Sequence, residues 1–292
     1  MADLRKQKEL ARRREQSLRE HQLVSSFSYK KSFSSARQKK HHEDILPKVQ
    51  VTRSSDKIIN SGEFMKNQVT SNLYQILSQD MAESVERQLK LKPDTNFGLP
   101  TGHSPLGAYK IISEWSRSGR LNWSQARCFA LDEYLDADEE ESFQQFLETN
   151  LYQHTNLPQS HKFNPKTTDN YDQAIAKLGG LDLTILGIGT NGHIAFNEPG
   201  TPRASYTHCI WLTESTRAAN QTFFGPGDEV PKRAVTMGIE TILASKNIIL
   251  LASGAHKQEV LEKALLGEVN INVPASFLSL HAHVTVLSDF DF

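Results

Sequence analysis

The segment running from Gly187 to Gly200, "GIGTNGHIAFNEPG", places an amide (Asn191), an imidazole (His193) and a carboxylate (Glu198) within eight residues. A carboxylate near an imidazole can orient the ring and raise its basicity, which suits proton shuttling near neutral pH. The spacing is not that of the helical HExxH metal motif and no third ligand is evident, so acid/base work is preferred to a metal site. A lone histidine is more often structural; what marks this one is its place beside Gly192 in a loop after an apolar strand. A second candidate is Asp132, followed directly by Glu133 at the end of the apolar stretch "RCFALDEYL". Adjacent carboxylates repel and must be solvated, hydrogen-bonded or used. The alternatives are a structural cap and a general base on a rigid strand end. The third is "GLPTGHSP", where Gly102 allows close backbone approach, Thr101 and Ser104 offer hydroxyls, and a following helix start supplies N–H groups for an anion. A plain strand-to-helix turn would look the same. The GxxxxGK[ST] spacing of nucleotide hydrolases is absent, and "GIGTNG" is not read as a dinucleotide loop.

These loops need a frame. Val69, Leu73, Ile76, Leu77 and Met81 recur at helical spacing, with Pro93 closing the helix's tail. "LDLTILGIG", "NIILLASG" and "HVTVLSD" are continuous apolar strands of the kind covered on both faces, and "GAHKQEVLEKALLGE" between the last two reads as a crossover helix. Alternating strands and helices predict an α/β fold: an open, mostly parallel, Rossmann-like sheet with helices on both faces. Ligands of such sheets sit at the carboxyl ends of the strands. The loops holding Thr101, Asp132 and His193 each follow a strand, so all three are expected on one edge.

The 292 residues suffice for one large domain, yet an apolar share of 38% is low for a wholly globular chain. The opening "MADLRKQKELARRREQSLREHQ" and "YKKSFSSARQKKHH" are basic although the whole chain has a formal net charge of -1. Residues 1–55 are therefore read as a basic, disordered extension and residues 56–292 as the domain. A solvated tail is the plain reading of the extension; a tether to RNA or an anionic surface, or a targeting arm, is the other, although Asp3, Glu9, Glu15 and Glu20 argue against a mitochondrial presequence. Cys128 and Cys209 show no disulfide or zinc spacing, which favours a reducing, cytoplasmic setting. Neither a membrane span nor a secretory leader is read.

Taken in order, "GLPTGHSP", "LDEY", "GIGTNGHIAFNEPG", "ASGAHK" and "VPASFLSLH" resemble the glucosamine-6-phosphate deaminase/isomerase family across nearly all of the domain. The related 6-phosphogluconolactonases read GHTASLFP where this chain has GHIAFNEP, so Phe196-Asn197-Glu198-Pro199 favours the deaminase branch. The resemblance implies that His193, with Glu198 and Asn191, opens a hexose ring, and that Asp132 moves a proton from C2 to C1 of a 2-amino-2-deoxyhexose 6-phosphate. The products would be a ketohexose phosphate and ammonia. Glucosamine-6-phosphate is the default substrate and its galacto epimer a competitor. No metal or organic cofactor is implied, nor a membrane; a homo-oligomer and nucleic-acid contact by the basic arm stay open. A lactonase and a non-catalytic sugar-phosphate-binding regulator are the alternatives.

For the phosphate, the resemblance implies the loop Thr101, Gly102, His103, Ser104 together with Lys257. The family's lid reads NxRFF, whereas this chain has Asn220-Gln221-Thr222-Phe223-Phe224, with Thr222 in place of the arginine. His103, when protonated, and Arg217, a turn or so from Thr222, are the candidates to replace that charge. "GPGDEVPK" suits a hinge for the lid, a surface turn being the alternative. Allosterically activated members carry basic residues where this chain has His208 and Ile210 and extend beyond the region of "LSDFDF", so activation by an N-acetylated sugar phosphate is not expected.

Overall fold

The computed structural model describes residues 50–53, 66–225 and 228–290, and the side chains of these other than 50–53 and 66–72. The chain order is β1 (Gln50–Arg53), α1 (Lys66–Leu91), β2 (Asn96–Leu99), α2 (Leu106–Arg117), β3 (Arg127–Ala130), β4 (Asp132–Tyr134), α3 (Phe143–Asn150), β5 (Lys162–Phe163), α4 (Tyr171–Lys177) and β6 (Leu183–Gly187). It continues with β7 (His208–Trp211), α5 (Glu214–Asn220), β8 (Arg233–Thr236), α6 (Ile239–Leu243), β9 (Asn247–Ala252), α7 (Gln258–Leu265) and β10 (Val284–Ser288).

The main sheet runs β1-β10-β9-β6-β2-β3-β5, every pairing parallel. Its apolar runs are covered on both faces, as the strands imply. Along β9, Ile249 and Leu251 pack with Leu77, Met81 and Ile112 of α1 and α2, whereas Ile248 and Leu250 pack with Ile175 of α4, Ile242 of α6 and Leu261 of α7. Alternate residues of one strand thus serve two cores, and full burial of each such side chain contributes about 1.5–3 kcal/mol. Among the described residues no helix is long and apolar enough to cross a membrane.

Two expectations change. β1 (Gln50–Arg53), within the stretch read as a disordered extension, pairs with β10 in the main sheet. The expected basic extension otherwise lies outside the described residues. The stretch "RCFALDEYL" is not one strand: β3 ends at Ala130, the chain turns at Leu131, and β4 enters a separate antiparallel sheet ordered β4-β8-β7. That small sheet is absent from the sequence reading because its strands span only three or four residues, too few for a period to show.

Strand order also locates the site. From β2 the chain travels to β3 and β5, then returns to the other side of β2 with β6 and continues to β9 and β10. The direction reverses between β2 and β6, and a crevice opens outside the carboxyl ends of strands at such a point.

Candidate active site

A cavity of about 830 Å³ occupies that crevice. Its wall includes Thr101, Gly102, His103 and Ser104 after β2, Asp132 after β3, His193 after β6 and Lys257 after β9. The three loops expected on one edge therefore share one cavity.

Asp132 opens β4, where it pairs with Thr236 of β8. Successive residues of a strand face opposite ways, and the two adjacent carboxylates divide accordingly. Asp132 lines the cavity and is 7% exposed. Glu133 accepts from the backbone N–H groups of Tyr134 (2.9 Å), Phe143 (2.9 Å) and Gln144 (2.8 Å) and from Asn164 Nδ2 (2.8 Å). It thereby ties down the first turn of α3, whose free N–H groups favour an anion. Burial, and then the neighbouring Glu133 charge, push the Asp132 carboxyl up to about 8.

The His193 loop is pinned from several sides. Gly189 N–H donates to His193 O (2.9 Å), Asn197 Nδ2 donates to Ile194 O and Met237 O, and Ala275 N–H donates to Gly192 O. Gly187, Gly189 and Gly192 do have G-x-G-x-x-G spacing, but no helix opens there. A Cβ on Gly189 would lie 2.2 Å from the His193 ring, so this glycine makes room for the imidazole. Ala195, also on the cavity wall, holds φ +49°, a left-handed conformation that costs a non-glycine residue about 1–3 kcal/mol.

Within the loop, Asn191 Nδ2 donates to Glu198 Oε2 (2.8 Å) and Asn191 Oδ1 lies 2.7 Å from His193 Nδ1. An ionised carboxylate only accepts, which fixes the amide's orientation and assigns the proton to Nδ1. His193 Nε2 is then the basic nitrogen. Glu198 Oε1 accepts from Thr213 N and Oγ1 (both 3.2 Å), and Thr213 caps α5. Glu198 thus joins the histidine loop to the helix at the cavity mouth. Burial, with Lys257 nearby, lowers the imidazole's proton affinity despite Glu198, which favours the neutral ring.

Elsewhere on the cavity wall, Lys257 Nζ donates to Ile188 O (2.5 Å), and burial lowers its proton affinity. The loop after β9 is fixed by Asp289, which accepts from Ser253 Oγ and Gly254 N–H (both 2.7 Å). Gly102 takes φ +92°. His103 stacks on Phe223 with ring centroids 4.2 Å apart, and its Nε2 lies 3.1 Å from Thr222 Oγ1. Among the described residues no group of three or more His, Cys, Asp or Glu side chains is placed to hold a metal ion.

Residues 68–287 match the family described as glucosamine-6-phosphate isomerases/6-phosphogluconolactonase. The chain belongs to this family. A glucosamine-6-phosphate deaminase of Lachnoclostridium phytofermentans is 41% identical over 76% of this chain and 99% of its own. The structure of a monomeric glucosamine-6-phosphate deaminase superposes with a TM-score of 0.72 at 37% identity, covering 82% of this chain and 97% of that one. A 6-phosphogluconolactonase from Thermotoga maritima has the same fold at 18% identity, with a TM-score of 0.60 and coverage of 82% and 99%.

Within the glucosamine-6-phosphate isomerase/6-phosphogluconolactonase family frame, the altered lid residue and one candidate to replace its charge meet in space: His103 contacts Thr222. Arg217 does not reach the cavity. Its Nε donates to Val230 O (3.0 Å) and its Nη2 to Glu229 (2.8 Å), which corrects the expectation that it compensates for Thr222. The expected hinge includes Pro226 and Gly227, which lie outside the described residues. Asn191 and Glu198 stand behind His193 and off the cavity wall. Sequence reading did not single out Thr213, Asn164 or the pairing made by Asn220. Asn220 Nδ2 donates to Tyr134 OH (3.0 Å), linking α5 to the strand that carries Asp132; no local motif announces a pair 86 positions apart.

Proposed function

We propose that this chain is an isomerase/deaminase of a 2-amino-2-deoxyhexose 6-phosphate, with glucosamine-6-phosphate as the default substrate. The observation that carries the reading is the arrival of Asp132 and His193, from separate strands, on one cavity that also holds Lys257 and the 101–104 loop. The identity to curated deaminases supports it further.

The steps are those the family resemblance implies, and the placement of these residues supports them. Neutral His193 takes the proton of the anomeric hydroxyl through Nε2 and returns it to the ring oxygen, opening the hexose to an aldehyde. Asn191 and Glu198 hold the ring of His193 in the required tautomer. Asp132, as carboxylate, removes the C2 proton, acidified by the adjacent aldehyde, and delivers it to C1. The imine at C2 adds water and releases ammonia, leaving a ketose. A buried carboxylate pushed up to about 8 gains from a cation beside it, and a 2-ammonium group entering the cavity supplies one. A lactone carries no such group. The lactonase reading rests on structures that share the fold at 18% identity, and Phe196-Asn197-Glu198-Pro199 argues against it.

Purified protein is to be assayed for ammonia release from glucosamine- and galactosamine-6-phosphate, beside hydrolysis of 6-phosphogluconolactone. Ammonia from either amino sugar supports the proposal. Lactone hydrolysis alone, or binding of either amino-sugar phosphate without turnover, overturns it.

A further inference from the structure

We propose that Lys110 is the second cation of the anion subsite, sharing the substrate phosphate with Lys257; this rests on the reading of the cavity as a sugar-phosphate site. Among the described residues, Lys110 and Lys257 are the only lysines on the cavity wall, and no arginine is there. A phosphate monoester carries about -1.5 to -2 charges near neutrality. One ammonium leaves a substantial part of that charge unmatched, and Lys257 already donates to Ile188 O.

Lys110 is placed to supply the rest. It stands three and four residues after Gly107 and Leu106, both of which also line the cavity, so the three share one face of α2. Its side chain is exposed, and it makes no ion pair or hydrogen bond with a described residue. Arg217 and Arg233, neither of them on the cavity wall, are committed elsewhere: Arg217 to Glu229 and Val230, and Arg233 to Asp136. The helix that carries Lys110 is set firmly against the 101–104 loop. A Cβ on Gly107 would lie 2.2 Å from Ser78 Oγ, so α2 packs closely on α1. Tyr74 OH accepts from Gly107 N–H (3.0 Å) and donates to His103 O (3.1 Å). One tyrosine of α1 thus fixes the start of α2 and the loop together. Lys110 therefore leaves a rigid helix about one turn beyond that loop.

The test uses the full chain and its Lys110→Gln and Lys110→Arg variants, with inorganic phosphate as the probe in calorimetry and glucosamine-6-phosphate in kinetics. Lys110→Gln is expected to raise the phosphate Kd and the sugar-phosphate KM at least tenfold, the loss falling mainly on KM, with an unchanged circular dichroism spectrum. Lys110→Arg is expected to stay within about threefold of wild type. A phosphate Kd for Lys110→Gln within twofold of wild type, or no phosphate binding by the wild-type chain, overturns the inference. Because phosphate binding is read without turnover, failure of the wild type to release ammonia would sink the functional reading separately.

Discussion

His193 Nδ1 and Glu198 Oε2 stand 3.9 Å apart and do not bond directly; the side-chain amide of Asn191 bridges them. The carboxylate acts on the imidazole by orienting an amide, which fixes the tautomer without taking a proton. Asn191→Ala removes that bridge and leaves His193 free to turn. It is expected to lower kcat about a hundredfold, within the range of an acid/base contribution, with KM little changed. Steady-state kinetics with glucosamine-6-phosphate provide the check.

On the proposed mechanism, the Asp132 carboxyl is expected to set the pH dependence. It must be ionised to act as a base, and in the free protein it is pushed up to about 8. The slope of kcat/KM against pH is therefore expected to approach tenfold per unit below about 8 and to flatten above. A profile from pH 6 to 9 would show a plateau throughout if the carboxyl were ordinary.

The same group leaves a mark on stability. Its folded value lies above the ordinary 3.8, so between about pH 4 and 8 the folded chain holds more protons than the unfolded one. This contribution to stability is lost as pH rises through that window. Urea unfolding at several pH values should show a shallower decline for Asp132→Asn than for wild type.

Glu133 serves the neighbouring structure. Truncation to alanine strands the buried N–H groups of Tyr134 and Phe143, each costing about 1–3 kcal/mol. Glu133→Ala is expected to lower the unfolding midpoint clearly, as read by calorimetry, and to loosen α3.

Thr222 faces His103 at the cavity rim. Thr222→Arg introduces a guanidinium there, and a charge-assisted contact contributes about 1.5–3 kcal/mol. KM for a phosphorylated amino sugar is expected to fall roughly tenfold or more; an unchanged KM would place the phosphate away from this rim.

The central strands and the loops that follow them were legible because each is a continuous apolar run ending in Gly, Pro or acid. Nine candidate residues sit on or directly behind one cavity for that reason. What stayed hidden depends on contacts distant in sequence. The break at Leu131 is set by pairing of Asp132 with Thr236, a partner far along the chain. The amide bridge at Asn191 follows from loop geometry that composition does not encode. β1 was missed because "QVTR" is short and becomes a strand only through β10.

The most direct test of the whole account is proton exchange at C2. Wild-type protein in D2O with glucosamine-6-phosphate is followed by NMR, beside Asp132→Asn. The account predicts, with the wild type, loss of the C2 proton and its appearance at C1 of the ketose, replaced by deuterium only as far as the Asp132 carboxyl exchanges with solvent before delivery, and with Asp132→Asn retained sugar-phosphate binding but no loss or exchange of the C2 proton. Exchange by Asp132→Asn within tenfold of the wild-type rate would contradict it.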